Sequence, residues 1–253
     1  MTGFAALLRK ELLEQWRTRR LPIVAIVFLS FGLASPVLAK YLPEIVRALG
    51  SGSLTIQVPE PTARDAVDQF LKNLGQAGIL TAILLTMGSV ANEKERGTAA
   101  FILSKPAGRA AFLGAKLVAI GTTLLVSLGL ASIGAYTYTA ILFGVPHAGG
   151  WVAMTLLLLL SLLGYAALTF LGSALTRSSV AAAGIGVAGL VGLAVVAALP
   201  NVARYTPVGL GGIGLGLATG ADAGELIFPV LANLALVLAL VTLAWLAFRR
   251  QEL

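Results

Sequence analysis

The chain has 253 residues, 58% of them hydrophobic and 11% charged, with a mean hydropathy of +0.92; soluble domains carry about 25% charged residues, so the composition belongs to the membrane class. Eighteen bases against eleven acids give a net charge of +7, which next to apolar runs reads as topology rather than nucleic-acid binding. The absence of cysteine excludes disulfides, thiol catalysis and sulfur-ligated metals, and a single histidine, His147, excludes clustered-histidine metal sites.

The N-terminus opens with charges rather than a short apolar core and a small-residue cleavage site, so no removable signal peptide is read there. In "FAALLRKELLEQW", Phe4, Leu8, Leu12 and Trp16 recur every four residues, with Leu7 and Leu13 beside them and Arg9, Lys10, Glu11 and Glu14 largely opposite. That pattern predicts an amphipathic helix over residues 1–20, lying in the membrane interface with Trp16 at headgroup depth. Leu21 to Ala39 follows without a charge, and its 19 residues are enough to cross a hydrocarbon core of about 30 Å. The stretch 43–74 is the longest polar region. Thr62 with Asp65 three residues later resembles a capping box, and Val67, Phe70, Leu71 and Leu74 share one face of the helix it starts. The second span is therefore expected to begin as an external amphipathic helix.

Asn73 to Asn92 is again uncharged. Leu117 to Thr176 runs 60 residues without a charge, which as one helix would be roughly 90 Å long at 1.5 Å per residue. "GVPHAGG" (144–150) breaks it into a hairpin of two spans, with His147 in a solvated turn. Ser178–Ala203 and Leu226–Phe248 supply two more. The expected spans are about 21–40, 74–92, 117–143, 151–176, 178–200 and 226–248. Between the last two, 204–220 is apolar, dense in glycine and a poor full span. It reads as a re-entrant or surface-lying segment, in which Gly212, Gly216 and Gly220 offer one option for close helix packing.

Orientation follows from the bases. With the N-terminus inside, the cytoplasmic face holds Arg9, Lys10, Arg17, Arg19, Arg20, Lys94, Arg96, Lys105, Arg109, Lys116, Arg177, Arg249 and Arg250, 13 of the 18. Lys/Arg excess near span ends marks the cytoplasmic side, so both termini are expected there, with the protein multi-pass in the inner or plasma membrane. The six span cores hold no Asp, Glu, Lys, Arg or His, which argues against a proton-coupled carrier and a voltage sensor. Their isolated polar groups, among them Thr81, Thr86, Tyr136, Tyr165 and Thr169, suit interhelical hydrogen bonding and packing. No carboxylate pair, Ser/His set or phosphate-binding G-x-x-x-x-G-K-[ST] loop is present, so the chain is not expected to catalyse or to hydrolyse nucleotide itself.

"NEKERGTAAFILSKPAGRAAFLGAK" (92–116) is then the dense charged loop. Gly97 breaks the helix after "EKER", Thr98 is placed to cap a short helix through "AAFILS", Lys105 suits its last turn and Pro106 stops it. A positive-inside anchor on anionic lipid explains the bases. Glu93 and Glu95 do not help lipid binding but suit a basic or mixed protein surface.

The run "E-x-E-R-G-T-x-x-x-I-L-S-K-P-x-x-R" followed by "G-x-K", with an interfacial "L-R-K-E-L-x-E-x-x-R" helix before the first span, closely resembles type-2 ATP-binding-cassette (ABC) permeases, the membrane subunits of ABC exporters. The short external region looks like the compact branch that includes the permease of the nitrous-oxide-reductase maturation system. The resemblance covers the whole chain. It implies that the loop helix is a coupling helix seated in a separately encoded ATPase, with Glu93, Glu95, Arg96, Gly97, Thr98, Ser104, Pro106 and Arg109 forming or shaping the contact. It also implies two ATPase subunits that carry ATP and Mg, no cofactor bound directly, and a second permease copy, identical or related, that completes a pathway between first, second and fifth spans.

The expected protein is thus an all-α integral membrane permease domain over 1–253: six transmembrane helices, an N-terminal interfacial helix and a short cytoplasmic coupling helix. It would export a hydrophobic or amphiphilic substrate, the charge-free lining being the basis for that class. An ATP-independent channel or secondary carrier, or an anchor docking a cytoplasmic complex, are the competing readings.

Overall fold

The computed structural model describes residues 2–49, 60–103, 108–220, 224 and 226–251, and among them all regular structure is helical. Among the described residues, six helical stretches are long and apolar enough to cross a membrane: Arg20–Ile45, Ala63–Glu95, Arg109–Phe143, Ala148–Leu175, Ser179–Ala197 and Ile227–Arg249. The helices outrun the uncharged windows because a helix ends where its backbone turns, not where the first charge appears. Lys116 and Arg109 consequently lie inside the third of these stretches, at its charged end.

Helix α1 (Thr2–Arg17) joins α2 (Arg20–Leu49) through Arg19, whose φ of 59° turns the chain sharply. Helix α2 contains Pro36 and Pro43, each of which removes one backbone donor from the helical ladder. Just before Pro36, the Ser35 hydroxyl donates to the Phe31 carbonyl at 2.6 Å and accepts from Asn73 Nδ2 at 2.9 Å, linking α2 to α3 (Ala63–Thr86). At the start of α3 the Asp65 carboxylate accepts from the Thr62 backbone N–H at 2.8 Å and from its hydroxyl at 2.7 Å. Val67, Phe70 and Leu74 are buried along the inner face of α3, with Leu71 packed beside them.

A turn at 87–90 separates α3 from the short α4 (Ala91–Glu95), and Gly97, at φ 68°, turns the chain into α5 (Thr98–Leu103). Thr98 is the first residue of α5 rather than its cap. Its hydroxyl donates back to the Glu93 carbonyl at 3.2 Å and closes the turn, because the left-handed Gly97 already delivers Thr98 into the helix. Helix α6 (Arg109–Phe143) and helix α7 (Ala148–Leu175) form a hairpin. His147 does more than sit in the turn: its Nδ1 accepts from Gly150 N at 3.0 Å and caps α7. Trp151 Nε1 donates to Ser132 Oγ at 2.9 Å, and Ser132 and Thr155 hydroxyls meet at 2.7 Å, so two turns of α6 and α7 are stitched inside the bundle. Thr81 and Thr169 instead bond back to carbonyls four residues earlier in their own helices.

Helix α7 is the centre of the bundle, packed against α3, α6, α8 (Ser179–Ala197), α9 (Gly209–Ala218) and α10 (Ile227–Arg249). The charged end is one end of this bundle; α9 lies toward the other. Pro207 meets α7 at Gly164, Gly214 faces Met154, and Leu217 faces Gly150. Those positions run about 21 Å along α7, so the segment from Pro207 to Ala218 lies alongside half of α7 rather than across its end. A Cβ on Gly150 would sit 1.9 Å from the Leu217 carbonyl oxygen, so only glycine allows this approach. The packing stripe of α9 is Leu210, Gly214 and Ala218, all buried, and not the Gly212 stripe: a Cβ on Gly212 would meet nothing within 4 Å, and Gly220 has a φ of 85° past the helix end. The helix turned by half its circumference from the expected register because the bulkier Leu210 takes the buried side.

Candidate functional site

The charges of the 92–116 loop and of α1 converge. Lys116 rises from α6 with its side chain only 3% exposed, and its Nζ donates to Glu93 Oε1 at 2.8 Å and Glu11 Oε1 at 3.1 Å. Lys10 of α1 donates to the same two oxygens, at 3.0 and 2.9 Å, and pairs with Glu14 at 3.1 Å. Three helices, α1, α4 and α6, are tied by two ammonium groups and three carboxylates. Charge-assisted hydrogen bonds are roughly twice as strong as neutral ones, and removing one member of a buried set leaves an uncompensated charge.

This corrects the polar face assigned to α1. Glu11 and Gln15 are among its most buried residues, while Phe4, Leu13 and Trp16 are exposed. The acidic side is turned inward because Lys116 meets it there, and the exposed apolar side is left for the bilayer. Burial works against the Lys10 charge, but the hydrogen bonds and charges of Glu11 and Glu93 outweigh it and hold the ammonium above its usual range. Burial likewise pushes the Glu14 carboxyl up, yet Lys10 more than offsets this and keeps it below the usual carboxylate range. Carboxylate oxygens of Glu11, Glu14 and Glu93 lie within 4.8 Å of one another, but the two ammonium groups already bond among them and supply the charge a cation would bring.

On the next residue of α4 the chain turns to the opposite side. Lys94, also buried, donates to the Ala174 carbonyl at 2.7 Å and to Gln251 Oε1 at 3.2 Å, and Gln251 Nε2 donates to the same carbonyl at 3.0 Å. Ala174 belongs to the last turn of α7, where a cation complements the helix dipole. Ser173 Oγ accepts from Val90 N and Ala91 N, both at 3.0 Å, so a side chain of α7 caps the start of α4. Asn92 bonds to Ser179 at the start of α8. Arg109 Nη1 donates to the Phe248 and Arg249 carbonyls, and Phe112 stacks on Phe248 with ring centroids 5.7 Å apart, joining α6 to the end of α10.

The residues singled out from the sequence therefore divide. Glu93, through Oε1, and Arg109, through Nη1, bond inside the chain. Glu95, Arg96, Gly97 and Thr98 are exposed and form one short outward edge between α4 and α5. Ser104 and Pro106 lie outside the described residues. Lys10, Glu11, Lys94, Lys116, Ser173 and Gln251 were missed as members of the site. Lys116 carried a signal: it is the last base before a 60-residue uncharged run, a position where a lysine either reaches headgroups or finds a carboxylate.

A family model described as "ABC-2 family transporter protein" matches residues 5–205. The chain is similar to the uncharacterized transmembrane protein YxlG of Bacillus subtilis (strain 168), at 30% identity over 211 residues covering 82% of this chain and 81% of that protein.

Proposed function

Because the chain belongs to the ABC-2 family of transporter proteins, and so is a multi-pass membrane component of an ABC transporter, we propose that it is the permease of an ATP-driven exporter whose Glu95–Thr98 edge seats a separate ATPase subunit. The observation that carries this is the placement of that edge directly after Glu93 and Lys94, at the end of α4. The two residues before it, Glu93 and Lys94, reach opposite sides of the bundle: α1 and α6 through Lys10 and Lys116, and the ends of α7 and α10 through Ala174 and Gln251. A push on the edge is thereby delivered to four helices through short charged contacts, which is the kind of contiguous, discrete network that carries coupling. A lipid anchor needs no such bracing.

In this reading ATP and Mg are bound by two copies of the partner, and ATP-driven closure of the partners moves α4 and α5. A second permease copy completes the pathway, and both termini face the cytoplasm, the side on which 13 of the 18 bases would lie. The substrate is hydrophobic or amphiphilic, in keeping with span cores free of charge.

The test is capture of the cognate ATPase by this protein in nanodiscs, with ATP hydrolysis measured in the captured complex. Wild type is expected to bind and stimulate the ATPase, and the Glu95→Ala/Arg96→Ala variant to lose either property while keeping wild-type thermal stability. Absence of any ATPase binding at micromolar concentration would instead favour a channel or a carrier.

A further inference from the structure

Two cavities meet at the charged end. One, of about 360 Å3, is an apolar cleft between α2 and α3 lined by Val24, Val27, Leu84 and Leu85, with Ile23 at its rim. The other, of about 400 Å3, lies under α1 and α4 and is lined by Gln15, Ser89, Glu93 and the lysines that pair with it. Arg20, Leu85, Gly88 and Asn92 line both, so the two form one continuous space with Arg20 at the seam. Each is within the roughly 300–1,000 Å3 usual for small-molecule sites. Ile23 and Leu84 are 57% and 63% exposed on the flank of the bundle, where acyl chains lie, so the apolar cleft opens sideways into lipid.

Two residues that line the polar chamber each carry a buried oxygen that no protein donor meets. Gln15 is 5% exposed and its Oε1 has no partner, and the second oxygen of Glu93, Oε2, has none either. Buried polar atoms are ordinarily satisfied, so an orphaned pair lining one chamber asks for a donor from outside the chain. Arg20 supplies the complementary feature. Its guanidinium makes no hydrogen bond or close ion pair with the described residues, although its charge is felt by Glu14.

In order from the lipid inward, the space thus offers an apolar cleft, a planar cation suited to phosphate, and acceptors that need N–H donors. We propose that it binds an aminophospholipid of the phosphatidylethanolamine type: chains in the α2–α3 cleft, phosphate on Arg20, and the primary ammonium donating to Gln15 Oε1 and Glu93 Oε2. Phosphatidylcholine has the same charges and the same phosphate, but its quaternary nitrogen has no N–H to give.

The full-length protein, purified in mild detergent without any ATPase, is titrated with phosphatidylethanolamine and phosphatidylcholine of identical chains, and bound lipid is counted by native mass spectrometry. Wild type is expected to bind phosphatidylethanolamine at least fivefold more tightly. Gln15→Leu should abolish that preference, Gln15→Glu should keep it, and Arg20→Gln should weaken both lipids. Equal binding of the two lipids by wild type, or a preference untouched by Gln15→Leu in a protein of unchanged thermal stability, would overturn the proposal and leave the chamber to water. Because no ATPase is present, failure here leaves the coupling reading standing, and failure of ATPase capture leaves this one standing.

Discussion

Glu93 and Lys116 meet at 2.8 Å with the lysine almost wholly buried, although α5 lies between them in the chain. The contact fixes both ends of the charged loop to each other and, through Glu11, to α1. What the loop presents outward is then set by what it holds inward.

Replacing Lys116 by Met should be costly, since two largely buried carboxylates would be left with only Lys10 to answer them. A loss of about 3 kcal/mol is expected by analogy with broken buried pairs. The double change Glu93→Gln/Lys116→Met should cost less than the two single changes added together, a coupling that thermal unfolding in detergent will measure. Strict additivity would mean that the two side chains do not interact.

Ser173→Ala removes the hydroxyl that accepts from both Val90 N and Ala91 N. Loss of a helix cap costs about 1 kcal/mol, and the start of α4 should fray. Amide hydrogen exchange at residues 90–94 is expected to quicken, while exchange in the middle of α6 stays as in wild type.

Gly150→Ala and Gly212→Ala form a matched pair. At Gly150 the new methyl would strike the Leu217 carbonyl, so α9 must move away from α7 and about 2 kcal/mol should be lost. At Gly212 the methyl meets nothing, and the helix should gain up to about 1 kcal/mol. Similar melting shifts for both would contradict the placement of α9 along α7.

The Glu14 carboxyl is held below its ordinary range, so its contribution to stability is present above the unfolded-state pKa and is lost as pH falls through the lowered folded value. Wild type should therefore exceed Glu14→Gln in stability at neutral pH, and the gap should close in acid. The gain is small because the side chain is partly exposed to solvent. Melting curves of the two proteins between neutral pH and the carboxylate range will show it.

The spans were legible because each carries a long uncharged run. Arg20 and Arg249 stand at ends of membrane-crossing stretches, Lys72 and Lys116 lie about two turns inside theirs, and Thr62 with Asp65 announces α3 at the right residue. The inward turn of α1 was not legible. Its charges read as a solvated face because the partner that neutralises Glu11 comes from Lys116, 105 residues later. The register of α9 was equally hidden: a helix made of alternating Gly and Leu carries almost no sign of which side is buried until α7 is beside it. Of the outward edge, Glu95 to Thr98 could be picked from the sequence, but the bracing by Lys94, Ser173 and Gln251 is long-range and leaves no local pattern.

The most direct test of the central claim uses the absence of cysteine. A single Thr98→Cys or Arg96→Cys substitution creates a unique thiol on the α4–α5 edge, and a single Val145→Cys places one at the opposite end of the bundle. With a short bifunctional thiol- and amine-reactive reagent in membranes that contain the cognate ATPase, the account predicts a permease–ATPase adduct from positions 96 and 98 and none from 145. An adduct from 145 alone, or equal labelling from both ends, would contradict it.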